Sequence, residues 1–175
     1  IHPFVFLTML LSFLISKETE AIVSKVTDGK YVVLDKTAFY PVGGGQPHDT
    51  GKLVGEDGTE FKVVFVKAFG EEVSHEIEPS GLKKGDKVKG IIDWNRRYKL
   101  MRMHSSAHVL AYVIFKETGA LISGNQLNEE QSRMDFSVEN FDRQLLTGFK
   151  QKSNELIEKG AEIRINFMPR EEAFK

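Results

Sequence analysis

The chain has 175 residues and no cysteine. That absence excludes a disulfide framework, a Cys-x-x-Cys metal site and a cysteine nucleophile within these residues. It also accords with a reducing compartment. Neither sign of charge dominates: 24 Lys and Arg against 25 Asp and Glu leave a net charge of -1. A general coat of one sign is therefore excluded, and any nucleic-acid partner would have to be met by a local basic patch. Proline is scarce, at five residues, and no low-complexity or repeated segment separates one part of the chain from another. A hydrophobic run long enough to cross a bilayer is also lacking, although the first fifteen residues are strongly apolar. The segment from Ile1 to Ile15 contains no Asp, Glu, Lys or Arg. As a helix it reaches only about 22 Å, short of the about 30 Å of a bilayer core. No basic leader precedes it, and Ser16-Lys17-Glu18-Thr19-Glu20 comes after it in place of a small-residue cleavage site. It reads as a buried first element or an oligomer contact, with an interfacial membrane segment as the competing reading. The expectation is no membrane partner and a cytoplasmic location.

The residues that are present point to a packed protein. Thirteen Phe, four Tyr and one Trp need a core, which excludes disorder as the main character. A chain this long can bury about 70% of its unfolded surface. The expected fold class is α+β. Residues 1–93 read as a small β-barrel-like subdomain and residues 94–175 as an α+β subdomain of helices on an antiparallel sheet. Ala21 to Val26 and Tyr31 to Leu34 flank Asp28-Gly29, a hairpin signal. Asp57-Gly58 precedes Phe61 to Val66, and Val73 to Ile77 and Val88 to Ile92 are further strand candidates. At Asp93 the period changes. Asp93 suits an N-cap for a helix over Trp94 to Glu117, with Gly119 as its stop. Gly124 to Arg133 reads as a loop and Met134 to Phe136 as a short strand. Glu139 to Lys159 reads as a second helix ended by Gly160, and Glu162 to Met168 as a strand.

Four features carry chemistry. His104 and His108 stand four apart, so a helix sets both imidazoles on one face, where they can share a metal ion. The segment is HSSAH, without the Glu of the His-Glu-x-x-His proteases, and zinc wants at least three protein groups. His48 and His75 join only if the fold brings them near. The second feature is TAFYPVGGGQPHDTG, from Thr37 to Gly51. Gly43, Gly44 and Gly45 form either a wide turn between strands or a bare backbone that approaches a ligand closely. It is neither a P-loop nor a dinucleotide fingerprint. The third is the cluster Arg96, Arg97, Lys99 and Arg102, which either grips phosphates or forms a solvated helix face. The fourth is Arg133 with Asp135, which an alternating strand would point to one side.

Taken in order, the Thr37–Gly51 segment, HSSAH in a helix, GNQ…RMDFS and a closing PREEAF resemble the editing domain of alanyl-tRNA synthetase. The closer resemblance is to free-standing alanyl-tRNA editing proteins of the AlaX type, over residues 18–175. The resemblance implies a zinc-dependent hydrolase that removes serine, and glycine as a second candidate, from tRNA(Ala). With no room for an adenylation domain, editing is expected in trans. His104 and His108 match the first half of the family's zinc site. The second half, a Cys-x-x-x-His motif, is absent, and the remaining ligands of the single Zn2+ are expected beyond residue 175. Thr37 is the candidate reader of the serine hydroxyl. Alanine is smaller than serine, so only the hydroxyl can separate them. If glycine is also removed, the methyl of alanine must be rejected, with the backbone of Gly43 to Gly45 as the candidate surface. Gln46 is expected to position the ester or the water. Arg133, Asp135 and the glycines are expected at the substrate, and Arg96, Arg97, Lys99 and Arg102 at the tRNA. The alternative is a tRNA-binding module of the same fold without catalysis.

Overall fold

The computed structural model describes residues 16–137 and 143–160. Six antiparallel strands come first: β1 (Glu18–Thr27), β2 (Tyr31–Leu34), β3 (Gly51–Gly55), β4 (Glu60–Phe69), β5 (Glu72–Glu78) and β6 (Lys87–Ile92). They close into a barrel in the order β1-β2-β5-β4-β3-β6. Closure leaves no free sheet edge, and alternation along each strand fills the interior. Ala21 and Val23 of β1, Val32 and Leu34 of β2, and Val73 and Ile77 of β5 point inward and are buried. On β4 the phase changes. Phe61 and Val63 face in, a register shift comes before Phe65, and Val66 then takes the inward place while Phe65 is left exposed. A bulge has this effect because side chains alternate with a period of two.

The hairpin of β1 and β2 turns at Asp28 and Gly29, both with positive φ (51° and 68°), as the Asp-Gly pair requires. Helix α1 (Trp94–Thr118) starts where Asp93 Oδ1 accepts from the Arg96 amide at 3.2 Å. It ends where Gly119, at φ 73°, donates to the Phe115 carbonyl. Next comes a two-stranded sheet, β7 (Ile122–Gln126) against β8 (Arg133–Phe136), and then helix α2 (Arg143–Glu158).

One strand goes unannounced and one expectation is corrected. Gly51–Gly55 is a barrel strand that its short, glycine-bounded sequence does not announce. The loop expected from Gly124 begins inside β7 instead. There the backbone of Gly124 to Gln126 pairs with Arg133 to Asp135, and pairing across a hairpin is not visible in one strand's composition. The expected elements over Ile1 to Ile15 and Glu162 to Met168, and the first residues of the second expected helix, lie outside the described residues.

The chain forms two compact units. The first runs up to Ser105 and includes Ile122–Phe136; the second contains Ser106–Leu121 and the chain from Ser137 onward. Residue 93 marks the change from strand to helix, and α1 then contributes to both units. In the second unit Val113, Ile114 and Phe149 are buried, and Lys152 pairs with Glu117 at 2.7 Å. No helix among the described residues is long and apolar enough to cross a membrane.

Candidate active site

The glycine-rich segment is fastened at both ends. On the barrel side, the Val42 amide donates to the Val66 carbonyl at 3.0 Å, and Tyr40 and Asp49 exchange backbone and side-chain bonds. Gly43 and Gln46 bridge each other, which closes the loop into a tight bend. On the other side, the Leu127 amide donates to the Gly45 carbonyl at 2.8 Å. Gly45 has φ 80°, and a Cβ there would overlap Asn125 Oδ1. Glycine is thus required twice over, by backbone conformation and by close approach. Sequence reasoning misses Asn125, whose only signal is the GNQ triplet.

At the end of this loop Gln46 is buried, and its Oε1 lies 2.7 Å from His104 Nδ1. An amide oxygen only accepts, so His104 donates from Nδ1; in the neutral ring the lone pair is then on Nε2, the form a metal ligand needs. Expected to position ester or water, Gln46 is bonded to the histidine itself. His108 lies four residues further along the same helix and is exposed. His48 donates from Nδ1 to the Asp49 carbonyl at 2.8 Å and meets the Phe65 ring at 4.6 Å between centroids. Among the described residues no three His, Asp or Glu side chains gather as a metal site. The donor chemistry of His104 and His108 suits zinc, but two groups fall short of the three it takes. No step is therefore derived through a metal.

The basic cluster separates into different roles. Arg97 is 1% exposed. Its Nε lies 2.9 Å from Asp49 Oδ1, its Nη2 meets Asp49 Oδ2, and Nη2 also donates to the Ala38 carbonyl at 2.7 Å. The expectation of a phosphate contact is corrected for this residue: its guanidinium ties α1 to the Thr37–Gly51 segment from inside. Arg96 and Arg97 are adjacent in sequence, and only the packing shows which of the two turns inward. Arg96 pairs with Glu129 and donates to the His48 carbonyl at 3.3 Å. Lys99 lies 4.0 Å from Glu129, and Arg102 is exposed over the Tyr98 ring at 6.0 Å. Lys99 and Arg102 remain on the surface. Arg133 and Asp135 form a two-bond pair at 2.9 and 2.7 Å, as their alternation on β8 suggests. Each shifts the other's titration, lowering the Asp135 carboxyl and raising the Arg133 guanidinium.

Thr37 lies at the start of the segment. Its Oγ1 is 2.8 Å from His75 Nε2 and accepts from the Phe39 amide at 3.1 Å. His75 is fully buried inside the barrel, with Nδ1 3.0 Å from the Val32 carbonyl and the Phe39 ring edge-on at 5.4 Å. Burial holds its pKa down to about 4, against a weaker upward pull from the Val32 bond. The unfolded chain protonates an ordinary imidazole near pH 6.5, so between pH 6.5 and 4 the unfolded state binds more protons. Stability is at its full value above about pH 6.5 and falls by up to about 3 kcal/mol as the pH drops to about 4. Urea denaturation across this range is expected to show that slope, and His75→Gln to lose its share of it.

A family model described as tRNA synthetases class II (A) matches residues 7–96. The chain is 57% identical over 164 residues to the alanyl-tRNA editing protein AlaX-M of Methanosarcina mazei, covering 90% of this chain and 65% of that protein. It is 55% identical over 162 residues to AlaX-M of Methanosarcina barkeri, covering 90% and 67%. It is 44% identical over 122 residues to the alanine–tRNA ligase of Methanospirillum hungatei, covering 69% of this chain and 13% of that protein. The chain thus spans about two thirds of the length of the AlaX-M relatives.

Proposed function

Because the chain belongs to the family of alanyl-tRNA editing proteins, we propose that it is a trans-editing hydrolase. It cleaves the aminoacyl ester of tRNA(Ala) wrongly charged with serine, with glycine as a second substrate. The observation that carries this reading is the bond from Gln46 to His104, which joins the glycine-rich loop to the histidine helix and fixes the imidazole as a donor from Nδ1. Discrimination has to read the serine hydroxyl, because a pocket that admits serine cannot exclude alanine by size. A site built to bond a hydroxyl can disfavour the analogue without it by about 10⁴-fold. Thr37 is the reader.

One Zn2+ belongs to this reading; His104 and His108 would hold it, together with further ligands from outside the described residues. When bound, zinc would supply a polarised water or an orienting charge at the ester. The protein's own groups do the rest. Gln46 holds His104 in one tautomer, the Gly44 and Gly45 backbone offers N–H groups, and Gly43 and Gly44 leave room beside the aminoacyl group. Lys99 and Arg102 face the tRNA backbone on the exposed side of α1. A cytoplasmic setting accords with the substrate. The second reading is a tRNA-binding module without catalysis, favoured by the lack of a third metal ligand among the described residues.

Deacylation of Ser-tRNA(Ala) against Ala-tRNA(Ala), with and without a chelator, separates the two. Serine release that a chelator stops and zinc restores is expected. Binding of tRNA without release of either amino acid would establish the second reading.

A further inference from the structure

His75 is a polar side chain inside an otherwise apolar barrel core, between Val73 and Ile77 on β5. A buried imidazole is costly there unless both nitrogens are bonded, and both are. The direction of the two bonds is fixed by donor and acceptor chemistry. The Val32 carbonyl can only accept, so His75 Nδ1 carries the proton. Its neutral ring then has a lone pair on Nε2, and Thr37 must donate its hydroxyl proton to it.

We propose that His75 is a positioning residue for substrate selection: it takes up the Thr37 hydroxyl proton in a hydrogen bond and thereby fixes the Thr37 oxygen as an acceptor. The proposal rests on the editing function above and deepens it. One Thr37 lone pair already receives the Phe39 amide proton. The other is left for a substrate group, and only a group that donates can satisfy it. A serine side chain donates; the methyl of alanine cannot.

An unrestrained threonine hydroxyl would rotate and could offer its proton to water or to the ester carbonyl. The locked hydroxyl has no proton to offer, so it distinguishes substrates by the presence of a donor. The ring that locks it is itself immobilised by the Val32 carbonyl and the Phe39 edge. The groups bonded to or stacked on the ring are the Thr37 hydroxyl, the Val32 carbonyl and the Phe39 ring, and none of them is ionisable. Burial keeps the imidazole neutral, with its pKa down at about 4, so the arrangement holds at neutral pH.

The test uses the full chain. In His75→Asn the side-chain amide reaches the Nδ1 position and keeps the Val32 bond, but nothing replaces Nε2. In His75→Gln an amide oxygen reaches the Nε2 position. Values of kcat/KM for Ser-tRNA(Ala) and Ala-tRNA(Ala) would be measured for both variants, for Thr37→Val and for Thr37→Val with His75→Asn. Thermal denaturation would track each protein. His75→Asn is expected to lower the serine-to-alanine preference about 3- to 10-fold, the scale of one neutral hydrogen bond. His75→Gln is expected to recover most of it, and His75→Asn to change nothing further once Thr37 is valine.

A loss that His75→Gln fails to recover, or that is equally large in the Thr37→Val background, would overturn the proposal. A ¹⁵N spectrum of the wild-type imidazole needs no variant. It is expected to show Nδ1 protonated and Nε2 bare from pH 6 to 8, and a proton on Nε2 overturns the proposal even if every variant unfolds. Wild-type protein that releases no serine while keeping the Nδ1–H form overturns the editing function, and the selection role with it. Serine release with the wrong tautomer overturns the role of His75 alone.

Discussion

Replacing Asp49 by alanine is expected to destabilise the protein by about 3–5 kcal/mol, the scale for removing one partner of a buried ion pair. Both members are essentially without solvent exposure: Asp49 is 1% exposed and Arg97 is 1% exposed. Asp49 holds Arg97 through both carboxylate oxygens and also accepts from the Tyr40 amide at 2.7 Å. Alanine therefore takes the carboxylate away from a buried guanidinium and leaves an amide at the entrance to the glycine-rich loop without its acceptor. The double variant Asp49→Ala, Arg97→Met removes the buried cation as well, and buried pairs replaced by apolar groups are often nearly neutral. It should recover part of the loss, with about 1–3 kcal/mol remaining for the unpartnered Tyr40 amide. Urea denaturation of the wild type, both single variants and the double variant measures this. A double variant no more stable than Asp49→Ala would show that the charge is not the source of the cost.

Under the proposed editing function, Gln46→Ala is expected to lower serine release about 10- to 100-fold, the usual effect of removing a group that orients a metal ligand, the role proposed for His104. The protein should fold normally, because the loop keeps its own Gly43–Gln46 backbone bridge. The diagnostic is recovery. If Gln46 acts by holding His104 in the Nδ1–H tautomer, raised zinc should restore part of the activity. Gln46→Glu, which preserves an acceptor for His104, should lose less. Activity that stays low at every zinc concentration would move Gln46 from the histidine to the ester. Full activity in Gln46→Ala would remove it from the mechanism.

The barrel is legible in the sequence wherever alternation is strong. Ala21 to Val26, Tyr31 to Leu34 and Val73 to Ile77 largely alternate inward and outward residues, and the Asp28-Gly29 turn announces itself by chemistry. Helix α1 is legible at both ends, because Asp93 and Gly119 satisfy backbone groups that every helix leaves open. Gly51–Gly55 is not legible. It is short, and Leu53 is its only fully buried side chain, so the strand exists mainly through its backbone bonds to β4 and β6. β7 is obscured for the same reason, with Gly124 to Gln126 polar and largely exposed.

The sequence by itself determined the types of group available: two imidazoles a helical turn apart, a loop that glycine leaves bare, a hydroxyl at its start, and no thiol. Local spacing and residue chemistry suffice for these, since each concerns neighbours along the chain. Only the tertiary structure decided what each group is bonded to. Gln46 meets His104 across 58 residues, Thr37 meets His75 across 38, and Arg97 meets Asp49 across 48. The physical reason lies in burial. A polar group removed from water must find a partner, but which partner depends on barrel closure, and closure depends on the core as a whole. Arg97 and the exposed Arg102 on one helix look alike as residues; only the packing makes one a scaffold and leaves the other to solvent.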